Sequence, residues 1–229
     1  MIKADHLQKC VDLCDKGRGT KKNMKTLALL MYKYAIKNDI AEKNYAEHIY
    51  VGKEQHNEKP FFSADEIKKI ASAVGIVQNA DTVLILIYTG FRINEFLNLK
   101  GSSYDPIEKT LTGGSKTEAG KDRVVTLSPK IESLVSALVT SDDAYLIRHN
   151  GGHCSDKIYR NDYYYPALKE IGVRPLPPHS CRHTFATLMK GVEAPATDKL
   201  KLIGHSKIEM TAYYTHTDLD SLRKITNNI

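Results

Sequence analysis

TVLILIYTGFRINEFLNL, residues 82–99, carries the main architectural signal of the chain. Thr82 to Tyr88 is apolar on every side, so periodicity alone leaves it as strand or helix. Its flanks favour a helix. Upstream, Ser63-Ala64-Asp65-Glu66 has the spacing of a capping box, and Ile67, Ile70, Ala71 and Val74 follow as a stripe at helical steps. Downstream, Thr89-Gly90 breaks the run and Phe91 to Leu99 reads as another helix. The stretch 82–88 is therefore expected to be a helix buried on all faces. It is far shorter than the roughly 20 apolar residues a membrane span needs.

Further along, the pattern changes. Residues 109–127 alternate in short runs punctuated by Gly113-Gly114 and Gly120 and end in Arg123-Val124-Val125-Thr126-Leu127, the pattern of a small antiparallel sheet. Ser128-Pro129 is expected to start a helix that runs to about Val139. Further helices are predicted at about Asp156–Ile171, Ser180–Lys190, Ala196–Ile203 and Lys207–Tyr214, the last opened by a second capping box, Ser206 with Glu209. Leu219, Leu222, Ile225 and Ile229 continue at helical spacing. Toward the amino terminus, residues 52–60, GKEQHNEKP, hold no apolar residue except proline and read as a linker. Before it, Met24, Leu27, Ala28, Met31, Tyr34 and Ala35 mark a helix over Lys22–Asn38, and a second short helix is expected near Asn44–Val51. The fold class is mainly α with a small antiparallel sheet. The expected divisions are a helical domain over 1–51, a linker over 52–60 and a larger domain over 61–229.

Composition narrows the function. At 41% hydrophobic and 26% charged residues the chain is a folded protein rather than a disordered one. There are 33 basic and 27 acidic residues, a net charge of +6 that suits a polyanionic partner. Residues 1–59 carry +4 of that charge and 60–229 only +2, so the amino-terminal part is the more basic per residue. Cys10, Cys14, Cys154 and Cys181 are too few for a disulfide scaffold and read as reduced thiols. The start, MIKADHLQKC, lacks the apolar stretch of a secretion signal. A cytoplasmic location is expected.

Three groups of residues carry chemistry. His179-Ser180-Cys181-Arg182 places His and Arg on one helical face just after Pro177-Pro178, where a helix amino terminus and a planar donor fork both favour an anion. Cys181 points away from that face, toward the core. Arg92 and Glu95 are three apart at the start of a helix that follows the apolar run. They form a structural ion pair, or Glu95 orients Arg92 and leaves part of its fork for a ligand. Gly204-His205 lies between two helices, and Tyr213-Tyr214 follows near the chain end, beside Thr215-His216.

Taken together these groups resemble the tyrosine recombinase, or phage-type integrase, family over about residues 60–217. The resemblance places the first family arginine on Arg92, within Thr89-Gly90-Phe91-Arg92-Ile93-Asn94-Glu95, and the hairpin lysine on Lys116. It places the His-x-x-Arg box on His179 and Arg182, continuing in His183-Thr184-Phe185-Ala186, and the second histidine on His205. The nucleophile falls on Tyr214, with Tyr213 one residue out of register. Before Gly204 the family more often has Leu than Ile203.

The resemblance implies attack by the Tyr214 oxygen on a DNA phosphodiester. Arg92 and Arg182 would clamp the nonbridging oxygens, and His205 would add a donor. One donor aimed at developing charge is worth about 2.7–4 kcal/mol. His179 is the implied acid/base for a phenol whose reference pKa is about 10. Lys116 would protonate the leaving 5′ oxygen. The 3′-phosphotyrosyl link conserves the phosphoester, so no cofactor, ATP or metal is expected. Glu95 is the implied support of Arg92. His183 and His216 are supporting groups or packing residues, and Tyr163, Tyr164 and Tyr165 contact DNA or, by preference, pack.

The implied function is a site-specific recombinase or integrase of a phage or mobile element, acting on double-stranded DNA. The alternatives are a type IB topoisomerase-like relaxing enzyme and a non-catalytic DNA-binding protein of the same fold. The implied partners are duplex recombination sites, three further copies in a tetramer on DNA with a monomer when free, and accessory directionality proteins. With only about 50 residues before the linker, the first domain is expected to be a partial DNA-clasping domain, as in a trimmed chain or a compact member, with weak DNA affinity. The apolar stripe over about 216–229 is an exchange segment for a neighbouring subunit, or folds back on its own chain.

Overall fold

A computed structural model describes residues 2–53, 59–114, 122–204 and 218–229. Lys116, His205, Tyr213, Tyr214 and His216 lie outside the described residues, as does the expected helix Lys207–Tyr214 with its capping box. The chain divides into two compact units, Met1–Glu58 and Lys59–Ile229.

The first unit holds α1 (Ala4–Asp12), α2 (Arg18–Lys37) and a 3-10 turn, Tyr45–His48. Its core is small: Val11, Ala46 and Ile49 are buried, and Leu7, Met24, Ala28, Leu29, Tyr32 and Val51 pack around them. The inward stripe of α2 is rotated from the expected one. Met24 and Ala28 pack inward, joined by Leu29 and Tyr32, whereas Leu27, Met31 and Tyr34 are exposed. With so few elements in the unit, α2 is covered along one narrow line. The helix expected near Asn44–Val51 shrinks to the 3-10 turn. The Asn44 side chain accepts from the Ala46 amide at 3.1 Å, and the Ile49 carbonyl accepts from Lys25 Nζ at 2.6 Å.

In the second unit, α3 (Ala64–Ser72) opens on the expected capping box. Ser63 Oγ accepts from the Glu66 amide at 3.3 Å, and Glu66 Oε2 accepts from the Ser63 amide at 2.8 Å. Ile67 and Ile70 are buried, while Ala71 is exposed and Val74, beyond the helix end, is half-buried. The ambiguous apolar run is α4 (Ala80–Thr89), buried on all sides at the centre of the core. Helix α5 (Ile93–Leu97) is shorter than expected because Arg92 has extended backbone and serves as its N-cap.

Strands β1 (Tyr104–Asp105), β2 (Thr110–Gly113) and β3 (Arg123–Thr126) pair antiparallel in chain order. Leu111 opposes Val125, and both side chains are buried. Strand β1, only two residues long, has no alternating pattern to announce it. Helix α6 (Glu132–Leu138) starts later than Ser128-Pro129 suggested. The Ile131 amide bonds to the Ser128 carbonyl at 3.0 Å in a turn that sends the Ile131 side chain into the core.

A hairpin of β4 (Arg148–His149) and β5 (Gly152–His153) turns through Asn150 and Gly151, both at positive φ, the conformation Asn-Gly favours in tight hairpins. The helix expected over 156–171 is present as α7 (Asp156–Ile158), a π-helical segment Tyr159–Tyr164, and α8 (Tyr165–Ile171). Pro166 has no amide hydrogen to continue the ladder, which accounts for the irregularity before it. Tyr159 and Tyr164 are buried, and the Tyr163 hydroxyl lies 2.9 Å from His149 Nδ1, so packing takes these rings.

Helix α9 (His179–Lys190) packs along α4, and α10 (Ala196–Ile203) packs against α9 and β3. The tail forms α11 (Leu219–Asn227), which rests on β3 and α10 of its own chain. Leu222, Ile225 and Ile229 are buried there, and Thr226 Oγ1 lies 2.9 Å from Thr126 Oγ1. The apolar stripe of the tail is thus folded back in cis. No helix among the described residues is long and apolar enough to cross a membrane.

Candidate active site

The site forms where the end of α4 meets α9. Gly90 ends α4 in the left-handed region at φ 59°, and a Cβ there would overlap the Phe185 ring of α9. Only a glycine lets the two helices approach this closely. Across that contact, Arg182 of α9 donates from Nη1 to the Gly90 carbonyl at 2.8 Å. Its Nη2 donates to the Ile203 carbonyl and, at 3.4 Å, to that of Gly204, at the end of α10. Arg182 is buried. Burial, then the charge of Arg92, lowers its pKa to about 10, which still leaves it protonated at neutral pH.

Arg92, two residues past Gly90, projects from the start of α5. Nη1 donates to Glu95 Oε1 at 2.6 Å, and Glu95 Oε2 accepts from the Arg92 amide at 3.0 Å. Glu95 is buried while the Arg92 side chain is 26% exposed, so the pair is oriented from within and open toward solvent. The ion pair that the sequence spacing suggested is present, and the Arg92 side chain remains partly exposed.

His179 opens α9 and is exposed. Its ring meets that of His183 edge to face, with centroids 4.6 Å apart. Desolvation, followed by the charges of Arg182, Lys59, Arg92 and Arg160, holds the His179 imidazole below its usual pKa. Desolvation and the neighbouring His179 do the same for His183. Both rings are accordingly neutral near pH 7, the form that accepts a proton. Cys181 faces the core, where Tyr164 Oη lies 3.4 Å from its sulfur, and burial pushes the thiol up to about 12.

The structure thus brings Arg92, Glu95, His179, Arg182 and His183 together. It also adds a residue that the sequence reading used only as a strand marker. Arg123 lies over the Phe91 ring at 4.3 Å, with Nη2 3.5 Å from Glu95 Oε2 and its side chain 2% exposed. Strand parity was the available signal, since Arg123 shares a face with the buried Val125 and Leu127. Among the described residues, the guanidinium groups of Arg92, Arg123 and Arg182 surround the one carboxylate of Glu95, leaving an excess of positive charge that suits a phosphate. No group of three or more His, Cys, Asp or Glu among those residues is placed to hold a metal ion.

Comparison with known proteins shows what the chain is similar to. Residues 60–220 match the model of the phage integrase family. The chain is 34% identical over 170 residues to tyrosine recombinase XerA of Thermococcus onnurineus, covering 70% of this chain and 59% of that protein. It is 27% identical over 208 residues to XerA of Saccharolobus solfataricus, covering 89% and 68% respectively. The chain therefore spans less than two thirds of the length of the first of these relatives.

Among solved structures, the Tn1549 transposon integrase in complex with transposon right-end DNA superposes with a TM-score of 0.75 at 18% identity, covering 97% of this chain and 84% of that one. XerH bound to palindromic difH, a post-cleavage complex, gives 0.72 at 21% identity, covering 98% and 69%. These likenesses show the mainly helical fold with its small antiparallel sheet. With most of the chain matched by the family model, and two arginines and a histidine meeting where α4 abuts α9, the chain belongs to the phage integrase family, the tyrosine recombinases.

Proposed function

We propose that this chain cleaves and rejoins double-stranded DNA at specific sites, with Tyr214 as the nucleophile. The observation that carries the reading is the meeting of Arg92 and Arg182 at Gly90, beside a neutral His179. A phosphodiester repels nucleophiles, and its charge grows on the way to a pentacovalent phosphorane. Two guanidinium groups aimed at that growing charge lower the barrier more than they tighten ground-state binding.

In this reading the Tyr214 oxygen attacks phosphorus and the bond to the 5′ oxygen breaks. Arg92, Arg182 and His205 hold the nonbridging oxygens. His179 accepts the phenol proton and Lys116 donates one to the leaving 5′ oxygen. The 3′-phosphotyrosyl bond keeps the phosphoester energy for rejoining. The unit Met1–Glu58, the more basic part of the chain per residue, supplies sequence-independent attraction to the phosphate backbone. Assembly on DNA as a tetramer, with α11 released from its cis position to reach a neighbour, and a nucleoid-associated location complete the reading.

The test begins by footprinting the chain on the DNA that flanks its gene. A nicked duplex carrying the protected sequence then traps any covalent adduct. A protein–DNA adduct with the unaltered chain that disappears in Tyr214→Phe is the expected result. No adduct, or one undiminished by that substitution, defeats the assignment.

A further inference from the structure

We propose that Arg123 is a positioning residue of the cleavage reaction, joining the carboxylate that orients Arg92 to the main chain that leads into His205. The inference rests on the reaction proposed above.

The geometry is specific. Arg123 starts β3, at the base of the hairpin whose other strand ends at Gly113, the residue it pairs with. Nη1 donates to the Leu202 carbonyl in the last turn of α10 and, at 3.5 Å, to the Thr89 carbonyl at the end of α4. Nη2 faces Glu95 Oε2 at 3.5 Å. One planar group therefore touches α4, α5 and α10 while belonging to the sheet. Arg182 takes the next two carbonyls of the same chain segment, those of Ile203 and Gly204. His205 follows them directly in sequence.

Stability alone is a poor reason for this arrangement. The position shares an inward face with Val125 and Leu127, where an apolar side chain would avoid the cost of taking a guanidinium out of water. Arg123 Nε and Nη2 are buried and, among the described residues, have no hydrogen-bond partner. A buried charge is weak evidence of a stabilising role, because taking it out of water can cost more than its partners return. Arg123 also adds a positive charge beside Arg92 and Arg182, with Glu95 as the counter-charge they share. Such a frustrated arrangement is relieved when a phosphate brings negative charge to the arginines.

Being almost fully buried, Arg123 does not present itself to DNA. Its effect would run through Glu95 and the end of α10, and so would appear in the chemical step rather than in DNA affinity. A lysine keeps the charge but lacks the fork that spans the carbonyls and the carboxylate at once.

The experiment uses the full chain and the nicked duplex described above, with Arg123→Met and Arg123→Lys compared with the unaltered protein. Melting, DNA affinity and single-turnover cleavage are measured for each. Arg123→Met is expected to cleave roughly 10²-fold more slowly while its Kd for DNA stays within about threefold, and Arg123→Lys to recover part of the lost rate. Cleavage by either folded variant at the unaltered rate overturns the proposal. So does a rate lost only in step with DNA affinity, a lysine variant no faster than the methionine one, or loss of the melting transition in both variants, which would make the role structural. No adduct with the unaltered chain would instead overturn the underlying reaction, and the proposal with it.

Discussion

Arg182 Nη1 and the Gly90 carbonyl, 2.8 Å apart, tie α9 to the turn that delivers Arg92. The bond exists because Gly90 can adopt φ 59° and leaves room for the Phe185 ring. Gly90→Ala should lower the unfolding free energy by about 2–4 kcal/mol, from the left-handed conformation and the crowded ring together. The same change should slow DNA cleavage, since it displaces the Arg182 acceptor. Chemical denaturation reads the first effect, and an unchanged midpoint would refute it.

Glu95 sits between two arginines, one half-exposed and one buried. Glu95→Gln keeps an acceptor for the Arg92 amide but removes the charge that offsets Arg123. Breaking a buried pair in this way costs about 3–5 kcal/mol, because the other charge stays behind. The variant should therefore melt earlier and cleave DNA more slowly. A double-mutant cycle with Arg123→Met checks the cause: if Glu95 acts through Arg123, the two losses combine to much less than their sum.

The His179 imidazole is held below its usual pKa of 6.5 by desolvation and by the arginines and Lys59 around it. Its neutral form is the one that accepts the phenol proton. Single-turnover cleavage should then be flat around pH 7 and fall as pH drops below 6.5, through the lowered pKa. His179→Gln should abolish that acidic limb along with most of the rate. A limb centred above 6.5 in the unaltered protein would contradict the reading.

Glu66 accepts two hydrogen bonds of 2.7 Å from Arg174, and this pairing lowers its pKa from 4.5 to about 2. The folded protein thus holds the charged form more firmly than the unfolded chain does. The stability from this carboxylate is fully present above pH 4.5 and is lost as pH falls toward 2. Arg174 is more than half exposed, so solvent screening keeps the contribution modest. Melting of Glu66→Gln should be below that of the unaltered protein at pH 7, and the gap should narrow below pH 4.5 and close only as pH approaches 2. Parallel curves over that range would exclude the pair as the cause.

Local chemistry was readable wherever one residue's neighbours in sequence are also its neighbours in space. The Ser63–Glu66 capping box, the all-apolar α4 and the His179/Arg182 spacing on α9 are of this kind, because a helix brings residues three and four apart onto one face. The Arg92–Glu95 pair was legible for the same reason. What the chain could not reveal locally was the set of long-range bonds. Arg182 reaching Gly90, Arg123 reaching Glu95 and Leu202, and Arg174 reaching Glu66 each join residues far apart in sequence. Their partners are fixed only once α3, α4, α5, α9, α10 and β3 have packed. The tail is the clearest case. Its apolar stripe announced a buried face, but a helix pattern carries no record of which surface buries it. Packing of Leu222, Ile225 and Ile229 onto β3 and α10 of the same chain was decided by the tertiary structure, which offers that apolar surface within reach of the chain's own end.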